Sequence, residues 1–323
     1  MDSINKPLQF PTLRGLVSGP QSLLTPLHLG ALCVALGVLT PIIALIWQAT
    51  QADLSHRGNL LTYVLPAALK NTVLLLAGVA VMVGVIGVGS AWAVTAWDFP
   101  GRKILSWALL LPLAMPTYIV AFAWLDLLHP IGPLQTFIRF LLGFDSPRQF
   151  RLPDLRSLSG AIILLGLVLY PYVYLTTRAM FISQPAHLLE AARTLGCSAT
   201  GTFFRVALPM ARPALAVGIS LALLETLNDI GASEFLGVQT LTVTVYTTWI
   251  SRSDLSAAAQ IACMMLMFIF LILTLEFYGR RKQGFSSRSL REIQPTRVQG
   301  WRGWLLGGVI SLPVLLGFLA PVL

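Results

Sequence analysis

Charge is what this sequence has least of. Only 11% of its 323 residues are Asp, Glu, Lys or Arg, where a soluble domain carries about 25%. A polar-coated globule is therefore excluded, and with 56% of residues hydrophobic most of the chain must face lipid or other apolar segments. Cysteine is nearly as sparse. Cys33, Cys197 and Cys263 stand far apart with no CxxC pair, which gives no disulfide framework and no metal site to expect. Also missing near the N-terminus is a short apolar stretch ending in a small-residue cleavage site, so the first long apolar run reads as a retained span. The net charge of +9 does not imply nucleic acid. The basic residues cluster in loops beside apolar runs, which is the pattern of membrane orientation.

What is present is a succession of long apolar runs. A span needs about 20 mostly apolar residues, and seven segments qualify: 27–47, 71–95, 104–128, 159–180, 212–230, 258–278 and 304–323. Polar loops are expected at 48–70, 96–103, 129–158, 181–211, 231–257 and 279–303. Placing the N-terminus in the cytoplasm puts 15 Lys and Arg inside and 7 outside, which favours that orientation. The 129–158 loop, with four arginines, then lies outside. VALGVLTPII (34–43) and VLLGFLAPVL (314–323) share five positions; this reads either as a first span restarted by the seventh, or as coincidence in a Leu-rich chain.

LLEAARTLGCSATGTFFRVALP, residues 188–209, interrupts these runs on the cytoplasmic side and reads as two short helices joined at a glycine. Ser183 is a candidate cap for the first, with Pro185 in its first turn, where a missing N–H is harmless. Glu190 and Arg193 fall on neighbouring surface positions, and Ala191 and Ala192 permit close packing. Gly196 is placed to end that helix in the left-handed conformation. Ser198 can cap a second helix bearing Phe203, Phe204 and Arg205, and Pro209 and Pro213 mark the start of the next span. Two rings on a cytoplasmic helix must be buried in something. Burial alone leaves two readings equal: packing on this protein's own span ends, or a knob entering a partner's groove.

Glu190-Ala191-Ala192, three residues, Gly196, nine residues, Val206, one residue, Leu208-Pro209 resembles the EAA loop of ABC importer permeases, EAA-x3-G-x9-I-x-LP, departing from it only by valine for isoleucine. The resemblance implies an all-α integral membrane protein with a six-span, MetI-like permease core. In that family the loop docks into a cleft on a separate ABC ATP-binding subunit, whose closure switches the permease between inward-facing and outward-facing states. Glu190, Ala191, Ala192 and Gly196 then belong to the docking surface with Arg205, Leu208 and Pro209, and Phe203 and Phe204 become partner-facing. The other implied partners are a periplasmic solute-binding protein, a second permease half or homodimer partner, and membrane lipid, in a bacterial inner membrane; no nucleic acid and no cofactor are expected. The chain itself should not bind ATP. Gly196 and Gly201 have P-loop spacing, but Thr202 stands where lysine is needed and no strand precedes. It is expected to be a non-catalytic transport subunit.

The stretches 71–102, 110–126 and 225–249 look like the ferric-iron branch of these permeases, in which two six-span halves are commonly fused. The implied organisation is a cytoplasmic N-terminal segment 1–26, a permease domain 27–278 containing the coupling loop 183–209, a basic linker 279–303, and 304–323 as the first span of a truncated or separate second half. Thiamine, phosphonate, sulfate and polyamine permeases share similar frameworks.

Asp126, Glu225, Asp229 and Glu234 lie in or beside the spans, where ionisable groups face a cavity or a partner. Glu225 and Asp229, four apart, are expected on one helical face. Either these acids line a path for a cationic or chelated metal, or they form a structural cap and hydrogen-bond network. Pro112 and Pro116 are hinge candidates or static kinks. Gly78, Gly84, Gly87, Gly89 and Ser90 suit close helix packing. A secondary transporter would use the acids for ion coupling without a partner ATPase, but has no reason for a capped helix pair with exposed phenylalanines. A scaffold protein would lose no transport on alteration of Glu225 and Asp229.

Overall fold

The structure, a computed structural model, describes residues 26–51, 64–280 and 295–322. Residues 1–25 of the expected N-terminal segment and 281–294 of the expected linker lie outside the described residues. So do Lys6, Arg14, Arg57, Arg281, Lys282, Arg288 and Arg291 of the charge tally, and Leu323.

Among the described residues, six helices are long and apolar enough to cross a membrane: α1 (Pro26–Thr50), α2 (Leu65–Ala96), α6 (Leu158–Ser183), α8 (Ala199–Asn228), α11 (Leu255–Arg280) and α12 (Trp301–Val322). Each coincides with an expected span, and most extend it by a few residues. That is what backbone satisfaction in hydrocarbon demands, because a helix pairs every interior N–H and C=O within itself.

The expected span at 104–128 is not one helix. α3 (Arg102–Ala108) and a tight turn at Leu111–Ala114 give way to α4 (Thr117–Leu127), with a bend of 94° between the two arms. Proline chemistry explains the break. Pro116 lacks the N–H to continue the ladder and drives the preceding Met115 out of helical geometry, to φ −97° and ψ 127°. Pro112 is buried in the turn.

Two expected polar loops also contain helices. Residues 129–158 carry α5 (Pro133–Leu142). Residues 231–257 carry α9 (Gly231–Phe235) and α10 (Leu241–Ile250), whose Leu241, Val243 and Thr244 are buried. Between α6 and α8 stands α7 (Ala186–Thr194).

The core is α6, packed against α2 and α8, with Leu165, Tyr170, Tyr174 and Phe181 fully enclosed. Missing side chains set the spacing. A methyl at Gly87 would stand 2.7 Å from Val173 Cβ, and one at Gly218 would stand 2.7 Å from Val173 Cα. Both neighbours therefore approach α6 at distances that a side chain would forbid. Gly84 and Gly89 have more room, so only part of the expected glycine face is at a contact.

α1 lies outside this core along α11, tied by Gln48 Nε2 to Ser256 Oγ at 2.9 Å and Gln260 Nε2 to the Ala49 carbonyl at 2.9 Å. α12 joins the core. Trp124 Nε1 donates to the Leu316 carbonyl at 3.1 Å, and β1 (Trp97–Asp98) pairs in parallel with β2 (Thr296–Arg297).

Candidate functional site: the helical hairpin

The hairpin is closed by backbone chemistry at its apex. Gly196 has φ +86°. Its N–H donates to the Arg193 carbonyl at 3.0 Å, and the Cys197 N–H donates to the Ala192 carbonyl at 3.0 Å. These two bonds make the Schellman closure, which needs a left-handed residue at that position. Two residues on, Ser198 Oγ accepts from the Gly201 N–H at 3.1 Å and caps α8. Ser183 does not cap α7. Its hydroxyl donates back to the Met180 carbonyl at 2.9 Å, so it belongs to the end of α6. Pro185 stands at the N-terminus of α7 and makes no side-chain cap.

The second arm is not a separate short helix. It runs unbroken into the next span as α8, through a widened turn at Phe203–Ala207 in which the Leu208 N–H reaches the Phe203 carbonyl. Pro209 follows directly. Its ring would clash with a carbonyl one turn back, and widening the preceding turn is how a helix absorbs that proline.

The two phenylalanines differ in exposure. Phe203 turns inward, with its ring centroid 5.2 Å from Trp92 of α2 and 6.5 Å from Phe181 of α6. Trp92 and Phe181 are themselves in edge contact at 5.3 Å. This replaces the expected partner-facing role of Phe203: it packs on the protein's own span ends. Phe204 is 64% exposed, with its ring in edge contact with that of Phe203 at 4.8 Å. Gln184 Nε2 donates to the Ala207 carbonyl at 2.8 Å, a second tie between the end of α6 and the start of α8.

α7 is amphipathic. Ala186, Leu189 and Ala192 face inward and are buried, while Glu190, Ala191 and Arg193 face out. At the apex Leu195 is 86% exposed, a residue that the sequence reading passed over. Its signal was an apolar side chain immediately before the left-handed glycine, at a tip that cannot bury it. The outward surface thus combines Leu188, Leu195 and Phe204 with Glu190, Ala191, Arg193 and Arg205. Leu208 and Pro209 are half-buried at the root. Trp92 was also missed, since nothing in the sequence couples position 92 to position 203.

At the opposite end of α6, the four acids do not assemble. α8 ends at Asn228, and Asp229 is extended at φ −76° and ψ 104°. Asp229 therefore leaves the helical face expected to hold it beside Glu225. Its carboxylate accepts from the Ala232 N–H at 2.7 Å and from the Thr117 hydroxyl, joining α9 to the start of α4. This is the cap and hydrogen-bond role. Glu225 is exposed on α8, and Glu234 is exposed on α9. Asp126 lines a cavity of about 380 Å³ with His129, Arg151, Asp154 and Arg156.

The sequence pattern of binding-protein-dependent transport system inner membrane components matches residues 84–283, a stretch that includes the hairpin, α6, α8 and α11. The sulfate transport system permease protein CysT of Salmonella typhimurium is 29% identical over 264 residues, covering 78% of this chain and 92% of that protein. The Fe(3+)-transport system permease protein FbpB 2 of Haemophilus influenzae is 27% identical over 253 residues, covering 77% of this chain and 45% of that protein. A bacterial alginate ABC transporter, crystallised with an alginate-bound periplasmic protein, contains a chain of the same fold; its TM-score is 0.63 at 18% identity, over 80% of this chain and 96% of that one. With the family pattern spanning well over half of the sequence and resting on this helical core, the chain belongs to the binding-protein-dependent transport system inner membrane components, as a multi-pass permease subunit of an ABC importer.

Proposed function

We propose that the hairpin 183–209 is the element through which a separate nucleotide-hydrolysing subunit drives this permease. The observation that carries the reading is the split between Phe203 and Phe204. One face of the hairpin is locked into α2 and α6, and the other presents Leu195 and Phe204 to a partner. Two large apolar groups on a water-facing tip are unfavourable unless something covers them. A capped, aromatic-anchored lever is stiff enough to pass displacement into the spans. Phosphate chemistry belongs to the partner, and this chain is the non-catalytic transport subunit. The hairpin faces the cytoplasm, with the N-terminus on the same side, and a periplasmic binding protein delivers solute at the far end of α6. The test is co-purification and vesicle uptake with the cognate ATPase. Leu195→Asp with Phe204→Asp should abolish both while membrane insertion is retained; intact association would overturn the reading.

For the substrate, we infer a small inorganic ion, with an oxyanion of the sulfate kind first. The relatives divide among sulfate, Fe(3+), molybdenum and 2-aminoethylphosphonate, and two of the sulfate permeases match over 92% of their length. Ferric iron is the second reading; it rests on the resemblance of 71–102, 110–126 and 225–249 to that branch and on the FbpB 2 likeness. Labelled sulfate and ferric uptake in a strain lacking the gene, with and without its restoration, separates the two. We further propose that α12 opens a second permease half, a reading supported by the shared pattern at 34–43 and 314–323.

A further inference from the structure

α5 is built inside out for a helix in water. Its ten residues include one charged group, Arg139, and one amide, Gln135, and both are turned inward at 5% and 1% exposure. Its outward face carries Phe137, Phe140 and Leu141, with Phe140 80% exposed. Ile131, just before the helix, is exposed as well.

Polar bonds hold the inner face. Gln135 Nε2 donates to the Leu128 carbonyl at 2.6 Å, and Gln135 Oε1 accepts from the Leu152 N–H at 3.2 Å. Arg139 Nη2 donates to Thr136 Oγ1 at 3.0 Å. The C-terminus is closed by Gly143 at φ +75°, with the Phe144 N–H on the Arg139 carbonyl at 2.9 Å and the Phe144 ring stacked on Phe150 at 5.8 Å. The helix is therefore well fixed, with its apolar side outward.

We propose that α5 lies along the membrane interface, with Phe137, Phe140 and Leu141 set among the acyl chains of the leaflet at the end of α6 opposite the hairpin. Three observations favour lipid over a protein partner. The direction of polarity is the first. Gln135 lines the 380 Å³ cavity, where Asp126, His129 and Arg156 stand among apolar residues such as Phe122, Leu152 and Phe235, so the polar side of the helix faces the protein and its apolar side faces the exterior. Interfacial helices partition by such segregation, sinking about 5–10 Å into the headgroup and acyl boundary. The second is that the outward face of α5 itself carries no charged residue, with Phe137, Phe140 and Leu141 forming a continuous apolar patch. The third is the chain that follows: Arg148 and Arg156 are exposed and fall where anionic headgroups would meet them, while Arg151 pairs with Asp154 at 3.5 Å. Four arginines in a loop assigned to the outside are thereby accounted for. Arg139 is turned inward, Arg151 pairs with Asp154, and Arg148 and Arg156 lie at headgroup level.

This gives α5 a task. It walls the cavity from lipid and fixes the outer end of the bent α3–α4 segment, to which Gln135 is bonded through Leu128.

The experiment uses the transporter assembled with its partner subunits in phospholipid nanodiscs. Cys33, Cys197 and Cys263 are replaced by alanine, and a nitroxide is attached at Phe140→Cys. Collision rates with oxygen and with a water-soluble nickel chelate are compared with Val85→Cys on the exposed face of α2 and with Asp145→Cys in the adjacent loop. Embedding predicts oxygen collision about twofold above the Asp145 reference and nickel collision about twofold below it. Nickel access equal to the Asp145 reference overturns the proposal. So does low access to both reagents, which marks coverage by protein. Where Phe140→Cys fails to assemble, as judged by its elution profile, Phe137→Cys is read by the same criteria.

Discussion

Trp92 and Phe203 meet with ring centroids 5.2 Å apart and planes tilted by 46°, so the hairpin and the second span share an aromatic joint across 111 residues of sequence. Phe203→Ala removes one member of that joint. Truncating a buried phenylalanine costs about 3–5 kcal/mol, and because Phe203 is only half-buried the loss should fall near 3 kcal/mol. Thermal melting in detergent should drop more for Phe203→Ala than for Phe204→Ala, whose exposed ring meets only the edge of Phe203. Association with the ATPase should show the reverse ranking. If Phe204→Ala melts as early as Phe203→Ala, the division of labour is wrong.

Gly196 tests the apex. Its φ of +86° is a conformation that a β-branched residue adopts only with strain of about 1–3 kcal/mol. Gly196→Val should abolish uptake and ATPase binding while membrane insertion survives. Gly196→Asn should retain much of both, because asparagine tolerates the left-handed region. Normal uptake by the valine variant counts against a coupling role.

How much of this was legible in the sequence depends on the range of each interaction. Spans are local: twenty apolar residues announce themselves, and the expected positions of six coincide with long helices. The left-handed Gly196 and the Ser198 cap are equally local and were readable from residue type alone. The break at Pro116 was visible as two prolines, but hydropathy averages over a segment and is blind to a 94° bend within it. Phe203 and Asp229 were misplaced for another reason. Their orientation is set by Trp92, Phe181, Thr117 and Ala232, which lie on other elements or beyond the helix end. No spacing rule within one helix carries that information.

Asp229 bridges two elements, and its variants should separate structure from transport. Asp229→Ala removes the acceptor for the Ala232 N–H and should lower stability by about 1 kcal/mol, the usual worth of such a cap. Asp229→Asn keeps an acceptor and should recover most of that loss. Thermal melting checks both. If uptake fails in the asparagine variant while its melting is unchanged, the charge is needed for passage and the capping role is insufficient. Removing Glu225 as well should then deepen the defect; unchanged uptake and substrate dependence in the double variant sink the vestibule reading.

The last prediction concerns a close helix approach in the core. A methyl at Gly218 would stand 2.7 Å from Val173 Cα and 2.5 Å from Thr176 Oγ1, whereas one at Gly84 meets only the tip of Ile219 at 3.8 Å. The Val173 Cα belongs to backbone and cannot rotate aside, so Gly218→Ala must push α8 away from α6. Overpacking of this kind costs about 1–3 kcal/mol, and Gly84→Ala should be neutral or slightly stabilising because alanine is the better helix former. The pair is read by thermal melting under identical detergent conditions. The hairpin is anchored to the same α6 end through Phe203 and Gln184, so displacement of α8 by Gly218→Ala should also weaken coupling, lowering uptake per ATP hydrolysed. Equal melting of the two variants would mean that α8 is free to shift at Gly218, and that the tight seat against Val173 does not fix its position.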